Sequence, residues 1–185
     1  MMFSARTRRI AIMAVAVFAV FIMAVRAYRW VAPHASSRPA AMHQPVPSTD
    51  EAGAERYQYF CTDVTDGDTI VVSSLGPVRL IGIDTPEMNY DLGVPQPFAE
   101  EAREFCKRLV LRRTVSLEFD VEKRDKYGRA LAYVFVGDTF VNAELVKAGL
   151  ARAYHIPPDD RYRDELKRLA RDARTKPLGL WSNDK

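Results

Sequence analysis

Four polar clusters in this 185-residue chain carry side chains able to do chemistry. They are Thr65-Asp66-Gly67-Asp68-Thr69, Arg79 within an apolar run, Asp84-Thr85-Pro86-Glu87, and Asp125-Lys126-Tyr127-Gly128-Arg129. Each alone reads as punctuation: Asp-Gly is a common turn pair, Asp-Thr-Pro-Glu starts a loop, and Asp-Lys-Tyr-Gly-Arg suits a solvated hairpin tip. Together they form a set. Asp68, Asp84 and Glu87 are hard oxygen donors at strand ends. Two carboxylates with a backbone carbonyl and waters make a seat for Ca²⁺, whose oxygen shell is loose. Beyond residue 54 the chain has one histidine, His155, and no cysteine pair at ligand spacing, so zinc or a histidine-based nucleophile has no seat. Arg79 and Arg129 can each present a planar fork to phosphate oxygens. Phosphodiester hydrolysis needs these parts: a water aimed in line, a cation on a non-bridging oxygen, and donors for the charge of the transition state.

The elements that must position these groups follow from periodicity. Strands are expected over Tyr57–Val64, Thr69–Ser73 and Val78–Ile83, the last two joined by a turn at Leu75-Gly76-Pro77, which implies an antiparallel sheet. Apolar residues at Phe98, Ala102, Phe105, Cys106, Leu109 and Val110 predict a helix over Phe98–Arg113, with acids early and bases late as its dipole prefers. Thr114–Val121 alternates and Leu131–Val136 is rich in β-formers, ending at Gly137-Asp138. Asn142–Ala148, closed by Gly149, and Asp159–Lys176, opened by Asp159 or Asp160 as N-cap, predict two more helices. Five short strands and three helices predict an α+β fold: a five-stranded OB-type β-barrel with the helices packed outside.

The formal charge of +3 does not mark a nucleic-acid binder. The first 54 residues hold six arginines against two acids, +4, and the remainder holds 21 bases against 22 acids, −1. Binding of a polyanion must come from locally placed arginines and lysines. Sixteen consecutive apolar residues, Ile10–Val25, lie between Arg6, Arg8, Arg9 and Arg26, Arg29. Residues 1–32 therefore read as an export signal in a hydrophobic helix, either an uncleaved anchor in the cytoplasmic membrane or a cleaved signal peptide releasing a periplasmic or secreted protein. Residues 33–54, rich in Pro, Ala and Ser, read as a flexible linker, and 55–185 as the folded domain. Cys61 and Cys106 are either a disulfide tying the first strand to the first helix or two buried thiols. Trp181 reads as a packing residue, His155 as a loop or surface residue, and Arg161–Arg174 as a solvated helix face.

The stretches DGDTIVV, VRLIGIDTPE, DKYGRALAYVFV, VNAELVKAGLARAY and GLWS, in this order from about Tyr57 to Ser182, closely resemble the staphylococcal-nuclease (thermonuclease) family. The resemblance implies a Ca²⁺-dependent nuclease cutting DNA and RNA and leaving 3′-phosphate ends. It places metal ligands on Asp68, Asp84 and the Thr85 carbonyl, with Asp66 just outside them. Glu87 matches the carboxylate that orients or deprotonates the attacking water. Arg79 and Arg129 match the two phosphate-binding arginines, and Lys126, Tyr127 and Tyr154 match residues beside the bound nucleotide. The segment after Gly149 is one residue shorter than the family pattern, and Ile156 stands where a second tyrosine is expected. No protein partner is implied. The same barrel also recurs in nucleic-acid-binding modules that lack the catalytic set, which makes such a module the rival reading.

Overall fold

The computed structural model describes residues 47–49, 55–89, 91 and 93–182; the expected N-terminal hydrophobic helix lies outside them. Among the described residues no helix is long and apolar enough to cross a membrane. Within the stretch read as a linker, Pro47–Thr49 is a strand, β1, antiparallel to the start of β2 (Glu55–Asp66) with Pro47 opposite Tyr57. β2 extends further toward the N-terminus than its apolar alternation suggests, and a strand edge takes up a partner where one is within reach. There follow β3 (Thr69–Val72), β4 (Gly76–Leu80), the two-residue β5 (Ile83–Asp84), α1 (Ala99–Val110), β6 (Thr114–Glu118) and β7 (Ala130–Val136). The chain ends with β8 (Thr139–Phe140), α2 (Val141–Lys147), β9 (Arg152–Ala153), α3 (Arg163–Arg174) and a 3-10 turn at Gly179–Trp181.

Strands β2, β3, β4, β7 and β6 pair in that order, and β6 pairs back to β2 to close the barrel. β2 serves both ends of the ring. Its first half, Arg56–Phe60, faces β6, and its second half, Cys61–Asp66, faces β3 across two register shifts that bend it from one partner to the other. The pairings are antiparallel except β4–β7, which is parallel. The three strands expected to form an antiparallel sheet, β2, β3 and β4, do so; a closed ring of five strands cannot alternate direction throughout, and the parallel seam falls where β4 meets β7.

Inward positions at alternating spacing fill the barrel: Val64, Ile70, Val72, Val78, Leu80, Val115, Leu117, Ala132 and Val134 are buried together. α1 covers β2 with Ala99, Ala102, Cys106 and Val110 at spacings of three and four. Cys61 and Cys106 are buried free thiols, the second of the two expected alternatives. α3 lays Leu166, Leu169, Ala170 and Ala173 against α2 and the core, and each fully buried leucine contributes about 1.5–3 kcal/mol.

The run Val78–Ile83, read as one strand, breaks at Gly82. Its φ is +81°, and a Cβ there would lie 2.6 Å from Leu166 Cδ1, so only glycine fits beneath α3. The turn this makes is pinned by Asn142, fully buried, whose Nδ2 donates to the Ile81 carbonyl at 2.8 Å while its Oδ1 accepts from the Val134 N–H at 3.0 Å. The turn before β4 lies at Ser73–Leu75, ahead of the expected Leu75-Gly76-Pro77, because Gly76 and Pro77 already pair with β3.

α3 begins later than expected, at Arg163, and Tyr162 precedes it without a side-chain cap. Asp159 is no N-cap: its Oδ1 accepts the Glu122 N–H at 2.9 Å and ties the segment before α3 to the loop between β6 and β7. Trp181 is buried, with the Arg174 guanidinium 4.6 Å from its ring centre, and His155 lies in a loop, half-buried. Glu118 is completely buried and compensated by Arg56 at 3.1 Å, Arg161 at 2.9 Å and the Tyr162 hydroxyl at 3.0 Å. That cluster ties β2, β6 and the start of α3 together.

Candidate functional site

The β2–β3 turn delivers the first acids. Asp66 Oδ1 accepts the Asp68 N–H at 3.2 Å, folding Asp66-Gly67-Asp68 into a tight turn. Gly67 is required by approach rather than by φ: a Cβ there would lie 2.8 Å from both Ala102 Cβ on α1 and Thr85 Cγ2. The turn therefore sits hard against Thr85, and Asp68 Oδ2 accepts the Thr85 N–H at 2.8 Å. Asp68 is only 2% exposed, whereas the Asp84 side chain, at the end of β5, is 45% exposed.

Arg79 on β4 joins these acids. Its Nη2 lies 2.9 Å from Asp68 Oδ2 and 3.3 Å from Asp84 Oδ1, while its Nη1 donates to the carbonyls of Leu80 at 3.0 Å and Ile83 at 2.9 Å. One guanidinium thus holds both carboxylates and the turn that carries the second. The planar fork makes this possible; a lysine ammonium cannot span the same four oxygens in one plane.

Arg129 comes from the loop before β7, and Asp125 organises it. The Asp125 carboxylate accepts from Arg129 Nε at 2.7 Å, from the Arg129 N–H at 2.9 Å and from the Tyr127 N–H at 2.9 Å. Burial acts to raise the Asp125 carboxyl, and the hydrogen bonds from Arg129 and Tyr127 outweigh it, holding it below the usual carboxylate range. Arg129 Nη1 also reaches Thr69 Oγ1 at 3.5 Å, and Thr69 donates to Asp68 Oδ1 at 3.3 Å, so the buried Thr69 bridges the two halves of the site.

Glu87 is held by a reciprocal pair: its N–H donates to Gln96 Oε1 at 3.0 Å, and the Gln96 N–H donates to the Glu87 carbonyl at 3.0 Å. Its carboxyl is raised by burial and by Asp66 and Asp84, against the opposing pull of Arg79 and Arg129. A cleft of about 840 Å³ is lined by Glu87, Arg79, Arg129, Lys126, Tyr127 and Tyr154, together with Ile156. Tyr127, Tyr154 and Ile156 are exposed by 72%, 52% and 59%. The six expected catalytic and binding residues that line the cleft come together; Asp66, Asp68 and Thr85 lie buried behind it.

Burial pushes the Asp68 carboxyl up to about 7; Arg79 and the Thr85 N–H oppose this and Asp66 reinforces it. Glu118, equally buried, has two arginines and a hydroxyl, whereas Asp68 shares one arginine with Asp84. The buried Thr85 Oγ1 has no hydrogen-bond partner. Among the described residues no three His, Cys, Asp or Glu side chains form a ready cage. The donors at this point are all oxygen, two carboxylates with a neighbouring carbonyl. That set fits a hard divalent cation completing its shell with water, and does not fit a thiolate- or imidazole-seeking metal.

Three contributors were not assigned roles from the sequence: Thr69 as the bridge, Asp125 as the holder of Arg129, and Asn142 as the pin of the turn before Asp84. Asp125 had a visible signal, an aspartate opening an Asp-x-x-Gly turn. Asn142 had none, and neither did the contact of Thr69 with Arg129, since these partners are remote in sequence.

The family described as staphylococcal nuclease homologue matches residues 77–183. The thermonuclease of Staphylococcus intermedius is 43% identical over 137 residues, covering 72% of this chain and 80% of that protein. The thermonuclease of Staphylococcus hyicus is 37% identical over 142 residues, covering 75% of this chain and 84% of its own length. Endonuclease YncB of Bacillus subtilis (strain 168) is 42% identical over 122 residues, covering 63% of this chain and 58% of its own. With a closed five-stranded barrel, three outer helices and these relatives, the chain belongs to the staphylococcal nuclease family.

Proposed function

We propose that this protein is an exported, Ca²⁺-dependent nuclease that hydrolyses phosphodiester bonds of DNA or RNA and leaves 3′-phosphate ends. The observation that carries the reading is the single cluster in which Arg79 bridges Asp68 and Asp84, set beside a cleft lined by Glu87 and Arg129. The relatives named thermonuclease and endonuclease support the nuclease class and a metal requirement. Asp68, Asp84 and the Thr85 carbonyl would hold the cation, with Asp66 behind them. When bound, Ca²⁺ polarises a non-bridging phosphoryl oxygen.

This chain's residues do the rest. Glu87, raised by its surroundings, accepts the proton of a water aimed at phosphorus. Arg79 and Arg129 meet the equatorial charge that develops as the new P–O bond forms and the bond to the 5′-oxygen breaks. The 5′-oxygen leaves with a proton from solvent, and the phosphate stays on the 3′ side. Lys126, Tyr127 and Tyr154 lie along the nucleotide. Export, through an anchor or a cleaved signal in residues 1–32, rests on the apolar run Ile10–Val25 and its arginine flanks. The test is cleavage of single-stranded DNA and RNA by the full chain with Ca²⁺, with Mg²⁺ and with chelator. Binding of either polymer without cleavage in any cation would move the assignment to a nucleic-acid-binding module.

A further inference from the structure

A second groove, of about 550 Å³, runs beside the cleft and is lined by Tyr57, Tyr59, Leu75, Phe119, Lys123 and Arg124, among others. Lys123 and Arg124 line both hollows, so the two adjoin at these residues. The floor of the groove is aromatic. Tyr57 and Phe119 lie 5.8 Å apart, tilted by 60°, and Tyr59 is half-buried against the barrel core, which fixes its ring. The cationic side is carried by exposed side chains: Lys123 stands 5.5 Å from the Phe119 ring centre, and Arg124 donates to the Gly128 carbonyl at 2.7 Å. Lys123 also donates to the Asp120 carbonyl, so both cations meet backbone oxygens, and neither is in an ion pair among the described residues. The acids of the groove are engaged. Glu55 accepts the Tyr57 hydroxyl at 2.9 Å, and Asp120 accepts the Tyr133 hydroxyl and the Arg161 N–H, both at 3.1 Å.

Fixed aromatic faces beside unpaired cations match a single polynucleotide strand, whose bases stack on any ring and whose phosphates need positive charge. The volume suits about one or two nucleotides, by the usual range for ligand pockets. We propose that this groove is a second subsite of the substrate strand, holding nucleotides that flank the bond being cut. The proposal rests on the nuclease reading and adds that the chain selects oligomers over very short substrates.

The test compares kcat/KM for a trinucleotide and a decanucleotide of single-stranded DNA in Ca²⁺, using the full chain and its variants Tyr59→Leu and Lys123→Gln. Leucine keeps apolar volume against the core, and Lys123 is exposed, so the second variant does not depend on packing. The wild type should prefer the decanucleotide, and that preference should fall about tenfold in Tyr59→Leu, the loss of one stacked base. In Lys123→Gln it should fall about threefold, with a shallower dependence of binding on salt. An unchanged preference in both variants would overturn the subsite. Should the wild type cut neither length, the nuclease reading fails by itself. Fluorescence anisotropy of a labelled decanucleotide then decides the groove, since equal affinity in all three proteins rules it out and weaker binding by both variants upholds it.

Discussion

The guanidinium of Arg79 lies 2.9 Å from the carboxylate of Asp68, a pair in which the acid is 2% exposed and the base 15%. The same nitrogen serves Asp84 at 3.3 Å, so one of the two arginines proposed to meet the phosphate also organises the proposed cation seat. Binding and stability are joined at this contact.

Removing Arg79 should therefore cost stability as well as activity. Arg79→Ala leaves Asp68 buried with no cation, only the Thr85 N–H and the Thr69 hydroxyl as donors, and the loss expected in urea denaturation is about 2–4 kcal/mol. Adding Asp68→Asn should restore part of that stability while activity stays lost. Additive losses in the double variant would contradict the pairing.

The two carboxylate roles separate by substitution. Glu87→Gln should lower kcat by about a hundredfold or more and leave calorimetric Ca²⁺ affinity within a few-fold of wild type. Asp84→Ala should weaken both. Equal Ca²⁺ affinities in the two variants would remove Asp84 from the cation seat.

Acid should weaken cation binding. Burial raises the folded carboxyl of Asp68 to about 7, against about 3.9 for an unfolded aspartate. Between those values the folded protein binds more protons than the unfolded chain, so in chelator stability falls as pH rises through about 4 to 7. A cation must displace that proton, so Ca²⁺ affinity should rise from pH 6 to pH 8 and flatten above. Thermal melts in chelator and titration calorimetry read the two trends, and Asp68→Asn should abolish this residue's share of both.

Asp125 acts through Arg129. Asp125→Ala should reduce kcat by about tenfold or more by releasing the guanidinium it holds at 2.7 Å, with Ca²⁺ affinity unchanged. If Asp125→Ala lowers activity in a chain that already carries Arg129→Ala as much as it does in wild type, the two residues are not coupled.

The cysteines should be silent in the native protein. Burial pushes the Cys61 thiol up to about 11 and raises Cys106 further, so both stay protonated and covered. A thiol reagent should label neither until denaturant is added, and then both. Failure to label after denaturation under non-reducing conditions would mean that a disulfide forms.

The barrel was legible in the sequence, and so were the residues that gather around Arg79 and the cleft, because both rest on local signals. Alternation marks the strands, and Asp66, Asp68, Asp84 and Arg129 sit at strand ends where the chain turns. What was not legible depends on closure and on remote contacts. The parallel β4–β7 seam follows from joining five strands in a ring. The break at Gly82 follows from Leu166 above it, 84 residues on. Asp159 looked like a cap because it precedes a helix, yet its partner is the Glu122 N–H in another loop. Thr69 links Arg129 to Asp68 only once β3 and the β7 loop are brought together.

The most direct test of the central claim is the end-group analysis of one labelled single-stranded DNA cut by the full chain in Ca²⁺ and in excess chelator. In Ca²⁺ the fragments should end in 3′-phosphate and begin with 5′-hydroxyl, and in chelator the strand should stay intact. Cleavage that persists in chelator, or fragments carrying 5′-phosphate and 3′-hydroxyl, would contradict that claim.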